Sequence, residues 1–307
     1  MRARFRYEGE ARSVRVRGAV EALGDTDLTC DDGVWSLELD VPDDVRTIYW
    51  LALDGAIDWL EWLPDAGNPK RYVYPQGLEF TRTRAVEGSL LEGPDARPYV
   101  WSVDRGAPRG TVREHERNGR RVWTYEPAVP AEGRLLLFDG NEYLTLAHVD
   151  LTLDNLIAEG RIPPLAAVLP DNVDTESRLR DLDCNADFLA WCCEQLPEAP
   201  AERSVVAGCS MGGRSAIYFG VERPDLFGAV LAQSPVPFGL EVPPGLPLRW
   251  YLDVGTLEEL AGPVRDLRDE LRRAGYEVAY GEFAGGHDYF WWRETIADGL
   301  VSLLGER

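Results

Sequence analysis

The sequence predicts an α/β protein: a three-layer, mostly parallel sheet preceded by a smaller β-sandwich. Three observations predict it. Over residues 1–100, β-branched and aromatic runs alternate with turn clusters at short spacing. Over residues 101–307, apolar strand-like runs alternate with helical patterns. One of those runs, "SVVAG", stops on the glycine-ringed serine of "GCSMGGRSAIYFG".

In the first region "SVRVRGAV" alternates, and "VWSLELDVP" and "TIYWLALDG" follow. The turn signals "CDDG", "VPDD" and "LDG" punctuate the region. This pattern predicts a small antiparallel sandwich. "WLPDAGNPKRYVYPQG" reads as a Pro- and Gly-rich loop. In the second region "TVREHERNGRR" is a charged segment before the first core strand, "RRVWTYEPA". "RLLLFDG" and "LAAVLPDN" are buried strands, with the helix "LTLDNLIAEGRI" between them. The amphipathic helix "NADFLAWCCEQLPE" comes next, then strand "RSVVAG", helix "GGRSAIYFGVERP" and strand "GAVLAQSP". Strand "LRWYLDVGT", helix "PVRDLRDELRRAG", strand "EVAYGEFAGG" and helix "WRETIADGLVSLLG" complete the series.

The 307 residues suffice for a sizeable core in either one or two domains. A net charge of −21, with Lys70 the only lysine among 32 basic residues, argues against nucleic acid as a partner. No run of 18 apolar residues predicts a membrane span, and the basic N-terminus has no apolar core of a secretory leader. Five cysteines without metal spacing read as thiols of a reducing compartment, so a cytoplasmic location is expected. No cofactor and no metal is expected.

Gly208-x-Ser210-x-Gly212 joins a strand to a helix. A serine there takes a strained backbone that lifts its hydroxyl off the sheet. Side chains two residues either side would collide with strand and helix, hence the glycines. The amide of Met211, opening the helix, can meet a developing oxyanion. A second amide is expected from the loop after "LLLFDG", at Gly140 or Asn141. A nucleophilic serine needs a base, and the chain has three histidines. His115 sits in the charged segment and His148 on the expected first helix. His287 follows the last strand, where a triad histidine belongs in the order Ser, acid, His. The acid should follow the strand "RWYLDVGTLEEL". Glu258 lies past its Gly-Thr turn and Asp253 at its end, while Glu259 reads as a solvated residue opening a helix. Asp288, beside the histidine, can support it from behind. Such a set performs acyl transfer.

With these residues in place, the chain resembles the enterochelin (ferric siderophore) esterase family, within the wider esterase D-like group. The blocks "LLLFDGNEY", "LDNLIAEGRIPPLAAVLPDN", "RLRDLDCNADF", "GCSMGG", "LDVGTLE" and "GGHDYFWWRE" stand in family order. "WLPDAGNPK" is similar to the loop closing the family's N-terminal domain. The resemblance implies an immunoglobulin-like domain over residues 1–100 and an α/β-hydrolase domain over 101–307. It implies Ser210, Glu258 and His287 as the triad, and a catecholate siderophore, free or ferric, as the ester substrate. Arg178, Asp181 and Asn185 match a family pattern read as a loop held by an Arg–Asp pair, or as a substrate contact at Arg178. Arg293 matches the "WRE" block as a structural residue. A ferric tri-catecholate is an anion, and Arg71, Arg82, Arg84 and Arg178 are candidate members of a positive pocket. "QSPVPFG" replaces the usual Gly-Ser-aromatic-aromatic continuation. The alternative is a carboxylesterase for a feruloyl or acetyl ester, with the N-terminal domain as an accessory module.

Overall fold

The computed structural model describes residues 1–305. The chain forms two compact units. One holds Met1–Pro98 together with Gly255–Glu258 and Phe283–Trp291; the other holds Tyr99–Val254, Glu259–Glu282 and the described residues from Trp292 onward.

The first unit contains β1 (Arg2–Glu8), β2 (Val14–Gly18), β3 (Thr29–Asp31), β4 (Val34–Asp40), β5 (Arg46–Leu53), β6 (Arg71–Tyr74) and β7 (Val86–Glu92). They make two antiparallel sheets, ordered β1-β4-β3 and β2-β5-β7-β6. Alternation explains the core. Along β1, Ala3 and Phe5 point inward while Arg2, Arg4 and Arg6 face water. Phe5 meets Val14, Val16, Tyr49 and Leu51 of the other sheet in one apolar cluster. β5 is buried from Arg46 to Ala52, as a central strand should be. The strands expected around residues 14, 35 and 48 are β2, β4 and β5. β6 corrects the expected loop: Tyr72 and Tyr74 alternate in it, hidden in the sequence by flanking Pro and Gly.

The second unit contains β8 (Thr111–Arg117), β9 (Arg120–Glu126), β10 (Gly133–Leu137), α1 (Gly140–Thr145), α2 (Val149–Ala158), β11 (Leu165–Pro170), α3 (Thr175–Leu182) and α4 (Ala186–Glu194). It continues with β12 (Ser204–Cys209), α5 (Met211–Glu222), β13 (Ala229–Gln233), β14 (Arg249–Gly255), α6 (Ala261–Arg273), β15 (Val278–Phe283) and α7 (Tyr289–Leu304). Eight strands form one sheet in the order β15-β14-β13-β12-β10-β11-β9-β8. The pairs β11–β10–β12–β13–β14 are parallel, and β8 and β9 run antiparallel at one edge. This is the expected fold class.

Period-two alternation makes the layers. Phe138 after β10, Val206 of β12, Val230 of β13 and Leu252 of β14 share a cluster with Phe188 of α4, Phe219 of α5 and Leu267 of α6. Their neighbours Leu231 and Tyr251 point the other way, where Gly299 lets α7 come close.

β8 corrects the expected charged segment. It pairs with β9 through an Asn118–Gly119 turn with φ of 53° and 75°, the left-handed pair that a tight hairpin requires. An edge strand wetted on both faces carries Arg, Glu and His, so its sequence shows no apolar alternation. His148 is likewise not inside a helix: it is the residue before α2, with φ of 49°. Among the described residues no helix is long and apolar enough to cross a membrane.

Candidate active site

In the second unit, Ser210 stands between β12 and α5 with φ 55° and ψ −121°. That strained backbone is rare for a residue with a side chain and forms the tight strand-to-helix elbow expected around this serine. Three backbone bonds hold it. The Ser210 amide donates to Gln233 O at 2.9 Å, and the Ser210 carbonyl accepts from Arg214 N at 3.0 Å and Val236 N at 3.2 Å. The glycine at 208 is a matter of space: a Cβ there would lie 2.5 Å from the Gly212 carbonyl carbon. Met211 is the first residue of α5, so its amide has no acceptor within the helix.

The loop after β10 carries the other oxyanion candidates. Asp139 is left-handed, with φ 57° and ψ 49°, and Gly140 and Asn141 open α1 directly after it. Asp139 is buried and held on both oxygens. Oδ1 accepts from Asn172 Nδ2 at 2.6 Å and Arg178 Nε at 2.8 Å, and Oδ2 accepts from the Arg178 guanidinium at 2.9 Å. A Cβ at Gly212 would sit 3.0 Å from Asp139 Oδ2, so this carboxylate borders the elbow.

In the first unit, His287 and Glu258 are joined. His287 Nδ1–H donates to Glu258 Oε2 at 2.5 Å, while Glu258 Oε1 accepts from the Gly255 amide at 2.6 Å. The carboxylate is 4% exposed and the imidazole 38%, so the acid is sheltered and the ring is open to a reactant. A carboxylate on Nδ1 fixes the tautomer whose Nε2 lone pair is available as a base. Asp288 follows and is buried. Its Oδ2 accepts from Thr47 Oγ1 at 2.7 Å and its Oδ1 from the Phe290 amide at 3.0 Å. Burial pushes its carboxyl up to about 7. Thr47 and the Phe290 amide pull the other way, Glu258 adds to the rise, and His287 opposes it.

The other expected residues are placed as follows. Asp253 is fully buried within β14, and its Oδ2 accepts from Gln233 Nε2 at 3.3 Å. His115 shares a hydrogen bond with Thr124 Oγ1 at 3.0 Å between β8 and β9. His148 has its pKa lowered by burial and then by Arg293. The Arg178 pair needs correction: its carboxylate partner is Asp139, and Asp181 bonds Arg120 and Arg180 instead. A pattern four residues long cannot show that Arg178 reaches across to the loop after β10. Asn185 caps α4, accepting from the Asp187 and Phe188 amides at 3.0 Å. Arg71 turns inward to Ser89 Oγ at 3.0 Å and to the carbonyls of Asn68 and Asp65. Arg293 bonds the hydroxyl and carbonyl of Ser102.

Gln233 is a member that sequence reasoning missed. Its side chain is fully buried, accepts from Tyr143 Oη at 2.7 Å, and donates to Thr295 Oγ1 at 2.6 Å and the Trp292 carbonyl at 3.0 Å. The signal was a lone amide ending an apolar strand. Among the described residues no group of three or more His, Cys, Asp or Glu is arranged to hold a metal ion.

Comparison with known proteins agrees with this architecture. Residues 124–303 match a family described as putative esterase. An iron(III) enterobactin esterase of Escherichia coli O6:H1 is 35% identical over 80% of this chain and 69% of its own length. An iron(III) salmochelin esterase of the same organism is 30% identical over 94% of this chain and 80% of its own. The crystal structure of the enterobactin esterase from Shigella flexneri in the presence of enterobactin superposes with a TM-score of 0.76. It covers 98% of this chain and 92% of that one at 24% identity, a likeness of fold. By sequence, this chain belongs to the enterochelin esterase family.

Proposed function

We propose that the chain is a serine esterase that hydrolyses ester bonds of a catecholate siderophore through an acyl-enzyme. In this reading Ser210 is the nucleophile, His287 the general base and acid, and Glu258 the group that orients the imidazole. The observation that carries it is the 2.5 Å bond from His287 Nδ1 to Glu258 Oε2, in a chain whose one elbow serine is strained off its sheet. Topology adds support: Ser210, Glu258 and His287 follow β12, β14 and β15, strands of a single sheet.

The chemistry follows from the residues. Ser210 Oγ attacks the ester carbonyl as His287 Nε2 takes its proton. The amides of Met211 and of Gly140 or Asn141 receive the oxyanion. Glu258 balances the imidazolium, which returns its proton to the leaving alkoxide. Water, activated by the same imidazole, then releases the acyl group. Glu258 suits this role better than Asp253, which is engaged with Gln233 inside β14. Arg178 and Arg71 hold backbone and carboxylate groups of their own loops, and we assign them to shaping those loops rather than to gripping the siderophore. Residues 1–100 are read as a substrate-positioning domain and 101–307 as the catalytic one. The five cysteines, none in a disulfide among the described residues, favour a cytoplasmic setting.

Incubation with enterobactin, its linear trimer and p-nitrophenyl esters, followed by chromatography, tests the substrate. Ring opening of the trilactone is expected. Turnover of simple esters with the siderophore intact would overturn the siderophore reading, and folded protein that resists fluorophosphonate labelling at Ser210 would overturn the serine-esterase reading.

A further inference from the structure

We infer that Thr47 is a positioning residue for the base: its hydroxyl, carried on β5, fixes Asp288 and through it the ring of His287. This rests on the proposed role of His287. All the residues involved belong to the first unit.

Thr47 is fully buried in a strand otherwise lined with Ile48, Tyr49, Trp50 and Leu51. A hydroxyl in such a run is costly unless it is bonded. Its bond is to Asp288 Oδ2 at 2.7 Å, across 241 residues of chain. Asp288 in turn caps the first turn of α7 through the Phe290 amide. The acid is therefore fixed at both oxygens, and the residue it is fixed beside is His287.

The rest of the loop is gripped by the same strand. The Arg46 amide donates to Ala284 O at 2.9 Å, and Trp291 Nε1 donates to that carbonyl at 3.1 Å. On the other side, the Leu257 amide donates to Gly285 O at 3.0 Å, next to the Glu258 that holds the imidazole. The space is closed: a Cβ on Gly286 would lie 2.3 Å from Ala19 Cβ and 3.3 Å from Thr47 Oγ1. The histidine loop is thus clamped between the start of β5 and the acid loop, and the Thr47 hydroxyl is the side-chain bond in the β5 half of that clamp.

The contact also has an electrostatic side. The charged groups acting on Asp288 are Glu258 and His287. β5 offers the neutral Thr47, while its Arg46 guanidinium is turned to Glu92 at 2.9 Å and to the Trp291 ring. α7 offers the Phe290 amide. By donating to the carboxylate, Thr47 opposes the rise that burial imposes on it.

Steady-state kinetics of Thr47→Val, Thr47→Ser and Asp288→Asn test this. Thr47→Val should lower kcat about 10-fold or more with KM within about twofold, as for a misplaced catalytic group. Thr47→Ser should recover most of that loss. The acid limb of kcat/KM should shift in Thr47→Val and Asp288→Asn, because the Asp288 carboxyl, pushed up to about 7, titrates beside the base in that range and both variants alter or remove that titration. A purely structural threonine would not move that limb. Should Thr47→Val fail to fold, Asp288→Asn and Thr47→Ala carry the same expectation. Any folded variant lacking the hydroxyl that keeps both kcat and the wild-type acid limb overturns the inference. Ser210→Ala separates the two levels: turnover by Ser210→Ala sinks the triad reading itself, whereas a dead Ser210→Ala beside a normal Thr47→Val sinks the role of Thr47 alone.

Discussion

Replacing Arg178 by Met tests whether the loop after β10 is held by charge. The guanidinium meets Asp139 at 2.8 and 2.9 Å, with side chains 16% and 1% exposed, so both ions are largely out of water. Methionine keeps the stem's bulk and removes the cation, leaving a buried carboxylate short of its partner. Breaking a buried pair in this way costs about 3–5 kcal/mol. Asn172 still donates to Asp139 Oδ1, which points to the lower end, about 3 kcal/mol. At about 2–4 °C per kcal/mol for a unit of this size, Tm should fall about 6–12 °C. The double variant R178M with Asp139→Asn should recover much of the loss, because a buried pair contributes little net once neither charge is left alone. Because Gly140 and Asn141 follow Asp139 directly, R178M should also lower kcat more than it raises KM. Differential scanning calorimetry and p-nitrophenyl ester kinetics read these quantities. A Tm within about 2 °C of wild type, or a double variant worse than the single one, refutes the charge argument. A stability loss without a kcat loss refutes the oxyanion role of the loop.

Other perturbations bear on the same site. Glu258→Gln should lower kcat by about 10³-fold or more in the ester assay, while Asp253→Asn should cost far less; the reverse ranking would make Asp253 the acid. Asp288 has a folded pKa of about 7 against an ordinary 3.8, so the folded state holds a proton that the unfolded chain gives up. Its contribution is at its best below pH 4, declines as pH rises, and has cost about 4 kcal/mol by pH 7 at ~1.4 kcal/mol per pH unit; urea midpoints of Asp288→Asn should show a flatter pH dependence over that range, and an unchanged slope would contradict it. Gly208→Ala, whose Cβ would meet the Gly212 backbone at 2.5 Å, should cost about 2–3 kcal/mol and slow fluorophosphonate labelling of Ser210; labelling at the wild-type rate would mean that the elbow is looser than described.

What could be read in the sequence was what depends on local order. The parallel strands announce themselves because both faces are buried, giving unbroken runs such as "RLLLF" and "SVVAG". The elbow is local too: its strain, its glycines and the start of its helix lie within about six residues. His287 and Glu258, which share a hydrogen bond, could be singled out because chain order along the sheet restricts where a candidate base and acid are sought. The edge strand β8 could not, since a strand wetted on both faces has no apolar period to display. The Arg178–Asp139 pair spans 39 residues and Thr47–Asp288 spans 241, and no pattern within a window registers either. A short match to "R-x-x-D" made Asp181 the natural partner of Arg178, but a helical neighbour three residues on is only one of the carboxylates an arginine can reach.

Packing groups segments that lie far apart in the chain. A boundary near residue 100 separates composition: sandwich before it, alternating strands and helices after it. Gly255–Glu258 and Phe283–Trp291 lie far along the second region, yet they belong with the N-terminal strands, where Leu257 and Ala284 join the cluster of Phe5, Val16 and Leu51. The reason is in the residues. Each segment leaves its strand as a short loop, and Leu257 in one and Ala284 in the other are buried in that cluster. Such loops cannot hold a side chain in place unaided, because a few backbone bonds do not offset the entropy of ordering them. Glu258 and His287 are therefore fixed within the unit of the N-terminal strands, whereas the Ser210 backbone is fixed within the other unit by Gln233, Arg214 and Val236.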